Sequence, residues 1–395
     1  MSAPGKAGRV ELADIVGAHA AALRERLVLS PVQHKALRAI EGCRTSALGG
    51  QLLRCQQCGE SQFRYHSCRN RHCPKCQSLA KERWLAARRA ELLPVPYFHL
   101  VFTLPSELRA LSQGNPHALY ALLFRATAQT LQAFGADARW LGGDIAATLT
   151  LHTWTQQLDY HPHIHALVAG GALGRDGRWI GARRGFLFPV HALSKLFRGK
   201  FLAGLQSLFT GNQLELGGST AALANPAQRN RWLSALYATA WVVYAKPSLS
   251  GPEPVLDYLA RYTHKVALSN ERILGADDTA VRLAWRDRAH GNRRRVLTLA
   301  PQQFLERYPR HILPPGFTRI RHIGLLASRH KRSRLARARA ALDAPAPAPV
   351  VIESVAAFCR RVAGIDIHQC PCCNSGPLVF VRTLAPTLAQ RPRPP

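Results

Sequence analysis

The segment HPHIHALVAG, residues 161–170, decides the fold. Histidines at 161, 163 and 165 alternate with Pro162 and Ile164, and an apolar run closes the stretch. A period of two marks a β-strand, on which residues two apart share one face. His163 and His165 are therefore expected to present two imidazoles to one metal ion, while Ile164 turns into the core. The upstream run IAATLTLHTW, residues 145–154, is also strand-like, and a short polar connection around Gln157 to Asp159 makes the two runs antiparallel neighbours. YFHLVFTL, residues 97–104, is rich in aromatic and β-branched residues and adds a further strand.

Helical spacing surrounds these strands. Residues 10–42 carry apolar positions at helical intervals, with Ser30-Pro31 as a helix start. LAKERWLAARRAELL at 79–93, the stretch from Ser106 to Phe134, roughly 190 to 246, and VLDYLARYTHKVAL at 255–268 are each expected to be helical. VRLAWRD and RRVLTL flank His290-Gly291-Asn292 as a hairpin. Strands separated by helices without a regular βαβ alternation predict an α+β fold built on an antiparallel sheet. Four regions are expected. They are a helical and zinc-binding domain at 1–90, a catalytic domain at 91–328, a basic arm with a Pro/Ala linker at 329–349, and a tail at 350–395.

The chain carries 53 Lys and Arg against 23 Asp and Glu, a formal charge of +30 spread over 395 residues. That much self-repulsion is tolerated most simply when the partner is a polyanion, and a nucleic acid is expected. No stretch approaches the 18 apolar residues of a membrane span, and MSAPGKAGRVELADIV lacks a signal-peptide apolar region. A cytoplasmic, nucleoid-associated protein with no membrane contact is expected.

Ten cysteines in a reducing compartment read as metal ligands before disulfides. Cys55-x2-Cys58 and Cys73-x2-Cys76 have the two-knuckle spacing of a zinc ribbon, and are expected to hold one structural zinc. Cys43, Cys68, His66 and His72 lie in the same stretch, as ligands of a second zinc ion, as swapped ligands of the first, or as small buried residues beside the metal. Arg64, Arg69 and Arg71 are expected to face DNA. Cys370 and Cys373 make a single knuckle, which needs His368, Cys359 or ligands from elsewhere to complete a site.

Tyr258 and Tyr262 are four apart and so share one helical face, alongside Arg261, His264 and Lys265. HPHIH followed by such a tyrosine helix resembles the HUH endonuclease superfamily. SCRNRHCPKCQ, YFHLVFTLP, WVVYAKPSLSGPEPVLDYLARYTHKVALSN and GFTRIRHIGLLAS resemble the IS91 family of transposases, with the likeness running from about Cys43 to Ser328 and a weaker echo in the C-terminal CPCC.

The resemblance implies an HUH-type antiparallel sheet and rolling-circle transposition of single-stranded element ends into target DNA. In such enzymes a divalent ion, Mg²⁺ or Mn²⁺, sits on the two histidines and a third polar ligand, and a tyrosine attacks the scissile phosphate. His163 and His165 map onto the histidine pair; Tyr258 and Tyr262 map onto the two tyrosines. His152, eleven residues before His163, is the favoured third ligand and His99 the reserve. A plasmid replication initiator or relaxase shares this chemistry, and a non-catalytic zinc-ribbon regulator is the alternative from another class.

Overall fold

The computed structural model describes residues 10–19, 28–183, 185–249, 254–256, 267–287 and 290–387. Its strands are β1 (Gly50–Cys55), β2 (Ser61–Tyr65), β3 (Tyr97–Thr103), β4 (Gly143–Trp154), β5 (Tyr160–Gly174), β6 (Trp179–Gly181), β7 (Val243–Leu249), β8 (Ile273–Ala276), β9 (Val281–Asp287), β10 (Arg293–Leu299), β11 (Ile320–Gly324) and β12 (Leu378–Leu384). The fold is α+β, with antiparallel sheets flanked by helices, as the alternation of strand and helix patterns predicts.

The central sheet has the order β11-β4-β5-β3-β7, with β6 paired to the far end of β5. All its recorded pairings are antiparallel. Period-two alternation divides its two faces. Ile164, Ala166 and Val168 of β5 join Phe98, Leu100 and Phe102 of β3 against the helices Pro116–Ala136 and Val190–Thr210. Phe102 meets Phe197 edge-on with ring centroids 5.2 Å apart. On the opposite face Leu167 and Ala169 pack with Tyr97, Leu325, Leu335, Val255 and Leu256. His163 and His165, being odd-numbered on β5, belong to this second face.

β7 departs from the sequence reading, which extends a helix to residue 246. The helix Pro226–Ala238 stops at Ala238, and Val243–Leu249 pairs with β3. Val243 and Tyr244 fit a pleated surface, and Pro247 is tolerated because β7 is an edge strand among the described residues.

Two smaller sheets complete the fold. β10-β9-β8 carries the expected hairpin, in which Arg293 pairs with Asp287 and Leu299 with Val281. β12-β1-β2 is a correction to the expected domain order. Residues 378–384 do not form a separate tail but lie antiparallel to β1, with Gly50 opposite Leu384 and Cys55 opposite Leu378. The basic arm is helical over Lys331–Ala340, and residues 344–349 form neither helix nor strand. Ser30 caps the helix Pro31–Glu41, accepting from the Gln33 amide, as the Ser-Pro start signal predicts.

Candidate metal centres

β4 and β5 bring the histidines together because of their register. His152 stands opposite His163, and Thr150 opposite His165. Opposed residues in an antiparallel pair share a face, so the side chains of His152, His163 and His165 converge. One ring nitrogen from each lies within 4.8 Å of the others. All three are buried, and His152 is additionally stacked on Trp154 with centroids 4.5 Å apart.

Hydrogen bonds fix the direction of the rings. His163 Nδ1 lies 2.6 Å from the His161 carbonyl, to which it donates, leaving the Nε2 lone pair free to point at the cluster. His99 Nε2 lies 2.9 Å from His165 Nδ1, which serves the same purpose for the second imidazole. The two Nε2 atoms are then 3.1 Å apart. Metal–nitrogen distances of about 2.1 Å put neighbouring ligands about 3.0 Å apart at right angles and about 3.4 Å apart in a tetrahedron. The pair thus has the separation of two ligands on one cation.

Burial pushes the His163 pKa down to about 4. It also pushes that of His165 well below the usual imidazole value, helped by His152, His163, His99 and Lys246 nearby. Both rings are neutral at pH 7, the form that binds metal. Lys246 pairs with His99 in the β3–β7 register, placing a cation beside the cluster. Sequence reading misses it because it assigns that stretch to a helix.

Tyr258, Tyr262, Arg261, His264 and Lys265 lie outside the described residues. Val255 and Leu256, just upstream, pack in the cluster that contains Leu167 and Ala169, on the histidine face of the sheet.

Eight of the ten cysteines form two groups, Cys43 with Cys68, Cys73 and Cys76, and Cys55 with Cys58, Cys370 and Cys373. The expected ribbon of Cys55, Cys58, Cys73 and Cys76 is therefore divided between them. The reason is the β1–β2 hairpin. Cys55 and Cys58 occupy its turn, whereas Cys43 and Cys68 flank its open end, about 15 Å away at the rise of a strand. In the first group Cys76 Sγ lies 3.5 Å from Cys43 Sγ and 3.6 Å from Cys68 Sγ.

His72 is not near the sulfurs' mutual centre but accepts from the Leu313 amide. Arg71 is half-buried and hydrogen-bonded to the protein. Its guanidinium donates to the carbonyls of Pro314 at 2.7 Å and Phe317 at 2.5 Å, docking the cysteine module on the segment that precedes β11. Arg64 likewise donates to the Ile367 carbonyl.

Residues 146–334 match the family model described as "Putative transposase", and residues 15–104 match "Transposase zinc-binding domain". Together with the cysteine clusters, the second match gives this region a structural zinc role. "Putative transposase y4qJ" of Sinorhizobium fredii (strain NBRC 101917 / NGR234) is 44% identical over 376 residues, covering 94% of each chain. "Transposase for insertion sequence element IS801" of Pseudomonas savastanoi pv. phaseolicola is 27% identical over 356 residues, covering 88% of this chain and 83% of that one. Among solved structures, TrwC complexed with a 27-mer DNA comprising the recognition hairpin and the cleavage site is 20% identical at a TM-score of 0.25, covering 44% of this chain and 68% of that one. The metal-bound conjugative relaxase TrwC in complex with OriT DNA is 14% identical at a TM-score of 0.25, covering 60% and 99%.

Proposed function

The chain belongs to the IS91 family of transposases, and on that premise we propose that it cuts and rejoins single-stranded DNA through a tyrosine nucleophile at a three-histidine metal centre. The observation that carries this reading is the convergence of His152, His163 and His165 from two paired strands. The donor set fits a divalent ion, because it offers three buried imidazoles, two of them held neutral by burial, with one ring nitrogen from each within 4.8 Å of the others. Mg²⁺ or Mn²⁺ bound there supplies the positive charge that polarises a scissile phosphate.

The protein's own residues do the rest. His161 and His99 hold His163 and His165 in ligand orientation. Lys246 adds a cation for the phosphate oxygens. Tyr258 follows Leu256 by two residues, and Leu256 packs on the face that bears the histidines. A phenol has an ordinary pKa near 10, so the attacking tyrosine depends on nearby positive charge to lose its proton. Attack forms a 5′-phosphotyrosine and releases a 3′-hydroxyl, and the ester conserves the energy for rejoining. Two tyrosines serve a rolling-circle transfer, because one can hold the first DNA end while the other cuts again. Cys43, Cys68, Cys73 and Cys76 are the ligands of a structural zinc.

The test is incubation with labelled single strands from the element's ends in Mg²⁺ or Mn²⁺, followed by a denaturing gel. A covalent protein–DNA adduct is expected, absent in His163→Ala/His165→Ala. Binding of those strands without any adduct would instead establish a non-catalytic DNA-binding protein.

A further inference from the structure

Cys370 and Cys373 lie outside both family matches, yet they complete a tetrad begun in the zinc-binding domain. Cys55 Sγ lies 3.7 Å from Cys373 Sγ, and Cys58 Sγ lies 3.7 Å from Cys370 Sγ. A disulfide would need about 2.05 Å. Four thiolates about 2.3 Å from a tetrahedral zinc lie about 3.8 Å from one another. The observed separations match the second geometry.

The backbone around the sulfurs is built for thiolates. The amides of Cys58, Cys372 and Gly376 lie 3.5, 3.4 and 3.3 Å from the sulfurs of Cys55, Cys370 and Cys373 respectively, each directed as a donor. Gly376 is required for this approach, since a Cβ there would come within 2.4 Å of Cys55 Sγ and 2.7 Å of Gln57 Cβ. The two knuckles are also cross-linked by backbone, the Gln56 amide donating to the Pro377 carbonyl at 3.1 Å. Ser375 Oγ donates to Gln57 Oε1 at 2.8 Å. From this junction β12 runs directly along β1.

We propose that Cys55, Cys58, Cys370 and Cys373 form a second, closed zinc site that fastens residues 370–384 to the N-terminal module. Four protein thiolates leave no open position, so the site is structural and binds no substrate. It is separate from the site of Cys43, Cys68, Cys73 and Cys76, and it does not depend on the histidine centre being catalytic. Its consequence is that the zinc-binding module is discontinuous in sequence, requiring residues far beyond position 104.

The test uses the full chain carrying His163→Ala/His165→Ala, so that imidazole-bound metal does not enter the count. Zinc per chain should fall by one ion in Cys370→Ser/Cys373→Ser, and likewise in Gly376→Ala, with the ion of the Cys43 group retained. Against misfolding of these variants, the zinc-loaded parent is alkylated and mapped by mass spectrometry. Cys373 should stay protected until a chelator is added, while exposed Cys372 reacts at once. Unchanged zinc content in the variants, or Cys373 alkylating as fast as Cys372 in zinc-loaded protein, overturns the proposal. So does a Cys55–Cys373 disulfide in the zinc-loaded, reduced protein.

Discussion

His99 Nε2 stands 2.9 Å from His165 Nδ1, and the two rings stack with centroids 5.1 Å apart, so one buried imidazole sets the direction of the other. Such outer partners commonly contribute about 10–100-fold to metal affinity. His99→Ala should weaken Mn²⁺ binding by about that factor, and His99→Gln, which keeps an acceptor, should recover part of it. Manganese titration followed by electron paramagnetic resonance reads the effect directly, and an affinity equal to wild type in both variants excludes the positioning role.

His152 has a different expected role, as a ligand. Because it stands opposite His163 in register, His152→Ala should reduce metal affinity more than His99→Ala does. Calorimetric titration of the two variants side by side decides the order, and the reverse ranking would exchange their roles.

The tyrosines separate by outcome. Tyr262→Phe is expected to abolish most covalent adduct on labelled single strands. Tyr258→Phe should still nick once but fail to complete transposition. Wild-type adduct in both phenylalanine variants would remove these two residues as nucleophiles.

Acid should destabilise the fold through histidines buried in the neutral state. Burial holds His311 at about 4, where it donates from Nε2 to the Leu158 carbonyl and accepts at Nδ1 from Thr153. Burial, with Arg88 and Lys331 nearby, also holds His322 at about 4. An unfolded histidine titrates near 6.5, so between pH 6.5 and about 4 the unfolded chain binds more protons and stability falls as the pH drops. Each group accounts for up to roughly 3 kcal/mol across that window. Urea midpoints measured from pH 7 to pH 4 should decline, and His311→Gln should flatten the decline. A parallel slope in that variant would count against His311.

Much of the architecture is legible in sequence because its signals are local. Alternation in 161–170 and 145–154 specifies two strands and a short polar link makes them neighbours, whereas the register that sets His152 opposite His163 is visible only in the structure. β7 is less legible because apolar residues continue from the helix Pro226–Ala238 without a break, and only pairing with β3 makes Val243–Leu249 extended. The cysteine partners are illegible for another reason. Two CxxC knuckles fourteen residues apart suggest one site, but the intervening hairpin holds them apart. Cys43 and Cys68 belong to no local motif, and Cys370 is brought to Cys58 by pairing across 312 residues.

The pairing of β1 with β12 also orders events during synthesis. Cys55 and Cys373 are 318 residues apart, so at about 5–20 residues per second the ribosome delivers the second knuckle roughly 15 to 60 seconds after the first. Until then β1 and β2 form a two-stranded hairpin, which is marginal by itself in water. The nascent chain therefore carries two uncovered thiols through most of its translation, open to oxidation or to capture of the wrong ion before their partners exist.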